Sequence, residues 1–69
     1  MNQTQASARI SPVLRLADVQ RMTGISRATI YRKIQEGHFP RQRRIGANSV
    51  GWLEHEIGEW IASLPQVHT

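Results

Sequence analysis

Gly24-Ile25-Ser26 interrupts two short stretches of helical periodicity, and no other feature of this 69-residue chain constrains its fold as much. Upstream, Val19 and Met22 are three residues apart and are expected to share one side of a short helix from about Ala17 to Thr23. Asp18 stands near the positive end of that helix. Downstream, Ile30 and Ile34 are four apart and form the buried stripe of a second helix, from about Ser26 to Glu36. Gly24 lies where the chain needs a positive φ that a Cβ would penalise. Ile25 anchors the turn. Ser26 is a good N-cap, because its hydroxyl can accept from a free backbone N–H two or three residues on. Gly37 closes the second helix as its C′ residue.

Ala28, Thr29, Arg32 and Lys33 point mostly away from the Ile30–Ile34 stripe. A short helix, a tight Gly turn and a second helix with basic residues off its apolar side form the layout of a DNA-reading helix-turn-helix. An ordinary helical hairpin with solvated charges explains the apolar spacing alone. It explains less well the order of short helix, Gly-Ile-Ser turn and Thr-Ile-Tyr-Arg.

The chain is long enough for one domain with a thin core. Residues 1–12 are mostly polar, with Ile10 their only large aliphatic, and are expected to form a disordered arm, with residues 13–64 as the domain and 65–69 as a frayed tail. Nine Lys and Arg against five Asp and Glu give a formal net charge of +4. Arg27, Arg32, Lys33, Arg41, Arg43 and Arg44 cluster in the middle, and Glu54, Glu56 and Glu59 lie further on. This layout predicts a basic face for phosphate and a separate acidic helix. There is no cysteine, hence no disulfide framework or thiolate chemistry, which fits a reducing cytoplasm. No apolar run has signal-peptide or membrane-span length, so a soluble, intracellular protein is expected.

Leu14-Arg15-Leu16 alternates and is read as a small strand. Phe39-Pro40 ends helical character, because proline restricts the residue before it, and Phe39 is read as a core plug. Arg41 to Ile45 and Ser49 to Trp52 read as two strands around the turn residues Gly46-Ala47-Asn48. Leu53, Ile57, Trp60, Ile61 and Leu64 form the apolar stripe of a third helix, from about Leu53 or Glu54 to Leu64, before Pro65. Gly58 is an awkward interior residue there, permitting close approach of another backbone or nothing.

Several of these stretches match one known family in order. They are Leu14-Arg15-Leu16, Thr23-Gly24-Ile25-Ser26-Arg27, Thr29-Ile30-Tyr31-Arg32 and Glu36-Gly37-His38-Phe39-Pro40, followed by Ile45-Gly46, Ser49-Val50-Gly51-Trp52 and Glu59-Trp60-Ile61. Across residues 14–61 the chain resembles the AlpA family of phage and prophage regulators. These are small relatives of MerR-type and excisionase winged helix-turn-helix domains. The resemblance implies a mostly α fold of three helices with a small β-hairpin wing.

On that fold the second helix enters the major groove of duplex DNA. Arg27 and Arg32 are candidates for paired hydrogen bonds to guanine, and Thr29 for a thymine methyl or a phosphate. Ser26 and Ala28, at the same end of the helix, are expected to contact the DNA as well, and Lys33 is expected on phosphate. Tyr31 is divided between core packing and a phosphate contact through its hydroxyl. Arg41, Arg43 and Arg44 supply charge to the wing, at residues 41–52, for phosphate or the minor groove. Strand alternation puts Arg43 on the face of Ile45 and Arg44 on the other. The chain departs from the family at Arg43, more often apolar there, and at Asn48, often basic. Asn48 at the wing tip is either a contact or simply a left-handed turn residue.

Trp52 and Trp60 sit on core-facing stripes rather than as base-stacking platforms. His38, His55 and His68 lack paired ligand spacing, so no metal site or cofactor is expected. With no Ser-His-Asp set or Gly-rich phosphate loop, no catalytic residue is expected and the chain does not read as an enzyme. The resemblance implies a transcription regulator acting on a prophage integrase or excision gene, with cooperative self-association on DNA as a further expectation. An excisionase-like architectural factor is the alternative. A protein-interaction module such as an antitoxin fragment stands behind both, because it has no need of a phosphate-facing stripe.

Overall fold

Gly24 and Gly37 take the left-handed conformation, with φ of 73° and 80°, and each ends a helix. The computed structural model describes residues 12–68. Of the arm expected at residues 1–12, residues 1–11 lie outside them. Along the chain come β1 (Val13–Leu14), α1 (Leu16–Thr23), α2 (Arg27–Gln35), β2 (Arg43–Gly46), β3 (Ser49–Leu53) and α3 (Glu54–Ala62). The three strands form one antiparallel sheet in the order β1-β3-β2. Three helices, a hairpin and a short strand beside it make a winged helix-turn-helix.

Local chemistry accounts for the boundaries. The Arg15 N–H donates to the Asp18 carboxylate at 3.0 Å, satisfying a donor at the start of α1. Arg21 pairs with the same carboxylate from the next turn. At the other end Gly24 N–H reaches Gln20 O at 2.7 Å. Thr23 Oγ1 donates to Val19 O at 2.8 Å and accepts from Ile25 N–H at 3.2 Å, so one hydroxyl bridges the helix end and the turn. Ser26 caps α2 by accepting from Thr29 N–H at 3.3 Å. The end of α2 is a Schellman motif, with His38 N–H on Lys33 O at 2.8 Å and Gly37 N–H on Ile34 O at 3.1 Å.

The core is Val19, Ile30, Ile34, Phe39, Trp52 and Ile57, with Leu14, Leu16, Ile25, Tyr31, Trp60 and Ile61 packed against it. Both tryptophans tie down the segment between α2 and β2. Trp52 Nε1 donates to Pro40 O at 3.0 Å and Trp60 Nε1 to His38 O at 2.7 Å. Phe39 lies between these anchors, its ring edge-on to Trp60 at 4.6 Å between centroids, and is the expected core plug.

Several expectations need correction. Val19 is fully buried, but Met22 is 43% exposed. The inward row of α1 runs through Leu16, Val19, Gln20 and Thr23, the i, i+3, i+4, i+7 pattern, and Met22 falls on its flank. Helix α3 stops at Ala62, and Leu64 is exposed outside it. Leu64 precedes Pro65, whose ring disfavours helical geometry there. Arg41 and Gln42 belong to the connector, and β2 begins only at Arg43. No non-glycine residue among the described residues has a positive φ, so Asn48 is not a left-handed turn residue. The hairpin register instead slips by one between Arg44 and Gly46, leaving Ile45 as the extra residue. Nothing approaches Gly58 within 4 Å of where a Cβ would stand, so it admits no close backbone.

Gly51 does require its missing side chain. A Cβ there would stand 2.7 Å from Leu14 O, 2.6 Å from Ile45 Cδ1 and 2.8 Å from Val13 Cγ1. The two side chains close over the glycine, and the carbonyl belongs to the paired strand, which cannot turn aside. Gly51→Ala is therefore expected to destabilise the domain by about 1–3 kcal/mol through overpacking, read as a lowered thermal midpoint. An unchanged midpoint contradicts that packing.

Candidate nucleic-acid interface

Opposite the buried Ile30–Ile34 row of α2 lies a solvent-facing row of Ala28, Arg32 and Gln35, at i, i+4 and i+7. Ser26 and Arg27 are exposed at the start of the helix, whereas Thr29, Tyr31 and Lys33 are half-buried on its flanks. Gln35 escaped the reading of the sequence, although its spacing from Ala28 and Arg32 marks it. A glutamine amide can bond adenine N6 and N7 as a pair.

These side chains differ in freedom. The Ser26 hydroxyl donates to Thr29 Oγ1 at 3.0 Å while capping the helix. Arg32 Nε is 3.8 Å from Glu36 Oε2, beyond hydrogen-bond reach and well exposed, a weak restraint. Glu36 also lies 3.6 Å from His38 Nδ1, a pairing that needs a protonated imidazole. The Arg27 guanidinium stands over the Tyr31 ring, 5.4 Å from its centroid.

The wing holds its three arginines differently. Arg41 is exposed ahead of β2. Arg44 Nη1 donates to Ala47 O at 3.1 Å, which bends the side chain over its own turn beside the exposed Asn48. Arg43 Nη2 donates to Glu56 Oε2 of α3 at 2.7 Å. Arg43 faces Gly51 across the ladder, and Ile45 Cδ1 covers Gly51, so Arg43 and Ile45 share a face. The ion pair ties the wing to α3 and commits the Arg43 charge.

Hydrogen bonding from Arg43 lowers the Glu56 pKa first, with the charges of Arg43 and His55 adding and desolvation opposing. The same bond raises Arg43. A carboxylate held below its ordinary value stabilises the fold above that value and loses the contribution as pH falls through the lowered one. Glu56→Gln is expected to lower the thermal midpoint slightly at neutral pH, with the difference from the parent closing below the carboxylate range. A difference that persists unchanged at low pH contradicts the tether.

Among the described residues no group of three His, Asp or Glu side chains is placed to hold a metal ion, and no helix is long and apolar enough to cross a membrane. Arg27, Arg32 and Lys33 lie along α2 and Arg41, Arg43 and Arg44 at the wing, while Arg15 and Arg21 stand at the start of α1 and within it. Tyr31 links the two elements, its ring set edge-on to Trp52 of β3 at 6.4 Å.

Residues 12–65 match the family described as prophage CP4-57 regulatory protein (AlpA). The chain is 43% identical over 56 residues to the DNA-binding transcriptional activator AlpA of Escherichia coli (strain K12), covering 72% of this chain and 80% of that protein. It is also 43% identical over 49 residues to the uncharacterized protein ORF88 of Enterobacteria phage P4, covering 71% of this chain. The match spans 56% of the phage protein's length. The family match takes in both helices of the turn, the whole wing and α3, and the chain belongs to the AlpA family of prophage regulatory proteins.

Proposed function

We propose that this chain is a sequence-specific binder of duplex DNA that regulates transcription, acting on a prophage or mobile-element integrase or excision gene in the bacterial cytoplasm. The observation that carries the reading is the exposed Ala28-Arg32-Gln35 row on α2, with Arg27 at its start and the core behind it. A helix of this kind fits the major groove, where a guanidinium can grip guanine O6 and N7 together. Lys33, Arg41 and Arg44 supply phosphate contacts that position the domain without reading sequence, and Asn48 lies at the wing tip near the backbone or minor groove. The relative named as a DNA-binding transcriptional activator supports the same reading.

A footprint of the purified chain across the promoters and any attachment site beside its gene tests the proposal. Protection is expected at a promoter, and the protected length tells whether one copy binds or several. The biological role is tested by deleting the gene while integrase is supplied from an unrelated promoter. Excision that persists supports the regulator. Excision that still fails shows a direct architectural role at the attachment site instead.

A further inference from the structure

Arg27 is the first residue of α2, at the positive end of the helix dipole, and the first turn contains no acidic residue. A cation there is electrostatically disfavoured, and its long side chain has no preceding helical turn to lie on. Its contact is the Tyr31 ring one turn on, 5.4 Å from guanidinium carbon to ring centroid. That ring is itself held. Tyr31 is half-buried against the core and meets Trp52 edge-on at 6.4 Å and 61°. Trp52 is fully buried and bonded through Nε1 to Pro40 O. A chain of contacts therefore runs from the wing strand through two rings to the first side chain of α2.

We propose that Tyr31 is a positioning residue whose ring, braced by Trp52, is a fixed platform orienting the Arg27 guanidinium toward a base edge, with no part played by its hydroxyl. The inference rests on the reading of α2 as the groove-facing helix and deepens it. It accounts for a half-buried tyrosine on this helix without a phosphate contact. It also makes the wing strand part of the specificity apparatus, because β3 carries the brace.

The test uses the full chain and two duplexes of equal length, one recovered by the parent chain from a random-sequence pool and one of random sequence. The ratio of their affinities measures discrimination. Tyr31→Phe is expected to keep that ratio within about twofold, because the ring remains. Tyr31→Leu is expected to lower it about two- to fivefold, and adding it to Arg27→Ala should cause no further loss. Should Tyr31→Leu fail to fold, 4-fluorophenylalanine at position 31 takes its place, since it keeps the ring's shape while weakening its negative face. A loss of affinity for both duplexes in Tyr31→Phe overturns the inference in favour of a hydroxyl-to-phosphate contact. Parent-like discrimination in folded Tyr31→Leu, with Arg27→Ala impaired, overturns the platform alone. Parent-like discrimination in Arg27→Ala overturns the base-reading role of Arg27 and the platform with it.

Discussion

Trp52→Ala is expected to unfold the domain. Trp52 has no solvent exposure and lies opposite Leu14 in the sheet. It meets Tyr31 of α2 and holds the connector through Pro40 O. One side chain thus joins the sheet, the second helix and the segment leading into the wing. Truncating a buried tryptophan costs about 3–5 kcal/mol, and a domain this small sits near the low end of the roughly 5–15 kcal/mol range of native stability. Far-UV circular dichroism and thermal melting read the outcome. Trp60→Ala should cost less, because Trp60 is only partly buried although it bonds His38 O. A Trp52→Ala chain that melts like the parent but has lost DNA binding would show the indole to be functional rather than structural.

The second large effect is on specificity. Arg32→Ala and Arg27→Ala are each expected to reduce discrimination by about 1–3 kcal/mol, roughly fivefold to 150-fold, the range for a lost paired contact to a base. Arg44→Ala is expected to weaken specific and random duplexes alike, since a phosphate contact positions without reading sequence. The local structure makes the contrast clean. The exposed Arg32 side chain stands 3.8 Å from Glu36 on its own helix, so its removal leaves the core untouched. Arg44 bonds its own turn at Ala47. Competition between the two duplexes separates the variants. Equal, non-specific losses in all three contradict base reading by α2.

Features legible in the sequence are those whose causes are local. Gly24 and Gly37 end helices because each provides a left-handed residue, and Ser26 caps the next helix from a neighbouring position. Ile30, Ile34 and Ile57 sit on stripes that several residues define together. The single Val19–Met22 spacing is too short to orient α1, and the complete row through Leu16, Val19, Gln20 and Thr23 passes beside Met22. The contacts that shape the candidate site join residues distant in sequence. Arg43 meets Glu56 thirteen positions on, and Tyr31 meets Trp52 across two elements. Neither pairing leaves a trace in spacing or composition. The register slip at Ile45 is equally silent, because it depends on how two short strands twist around a turn with no left-handed residue.

The affinity of the chain for duplex DNA as a function of salt tests the account most directly. If the basic residues of α2 and the wing, Lys33, Arg41 and Arg44 among them, together neutralise about four phosphates, log affinity falls against log salt with a slope of about −3.6, about 150-fold between about 50 and 200 mM. Arg44→Ala then flattens the slope by about 0.9, whereas Arg43→Ala leaves it unchanged because Glu56 already holds that charge. An affinity that does not change with salt, or a preference for single strands over the duplex, contradicts a domain that docks α2 in the major groove with its wing on the backbone.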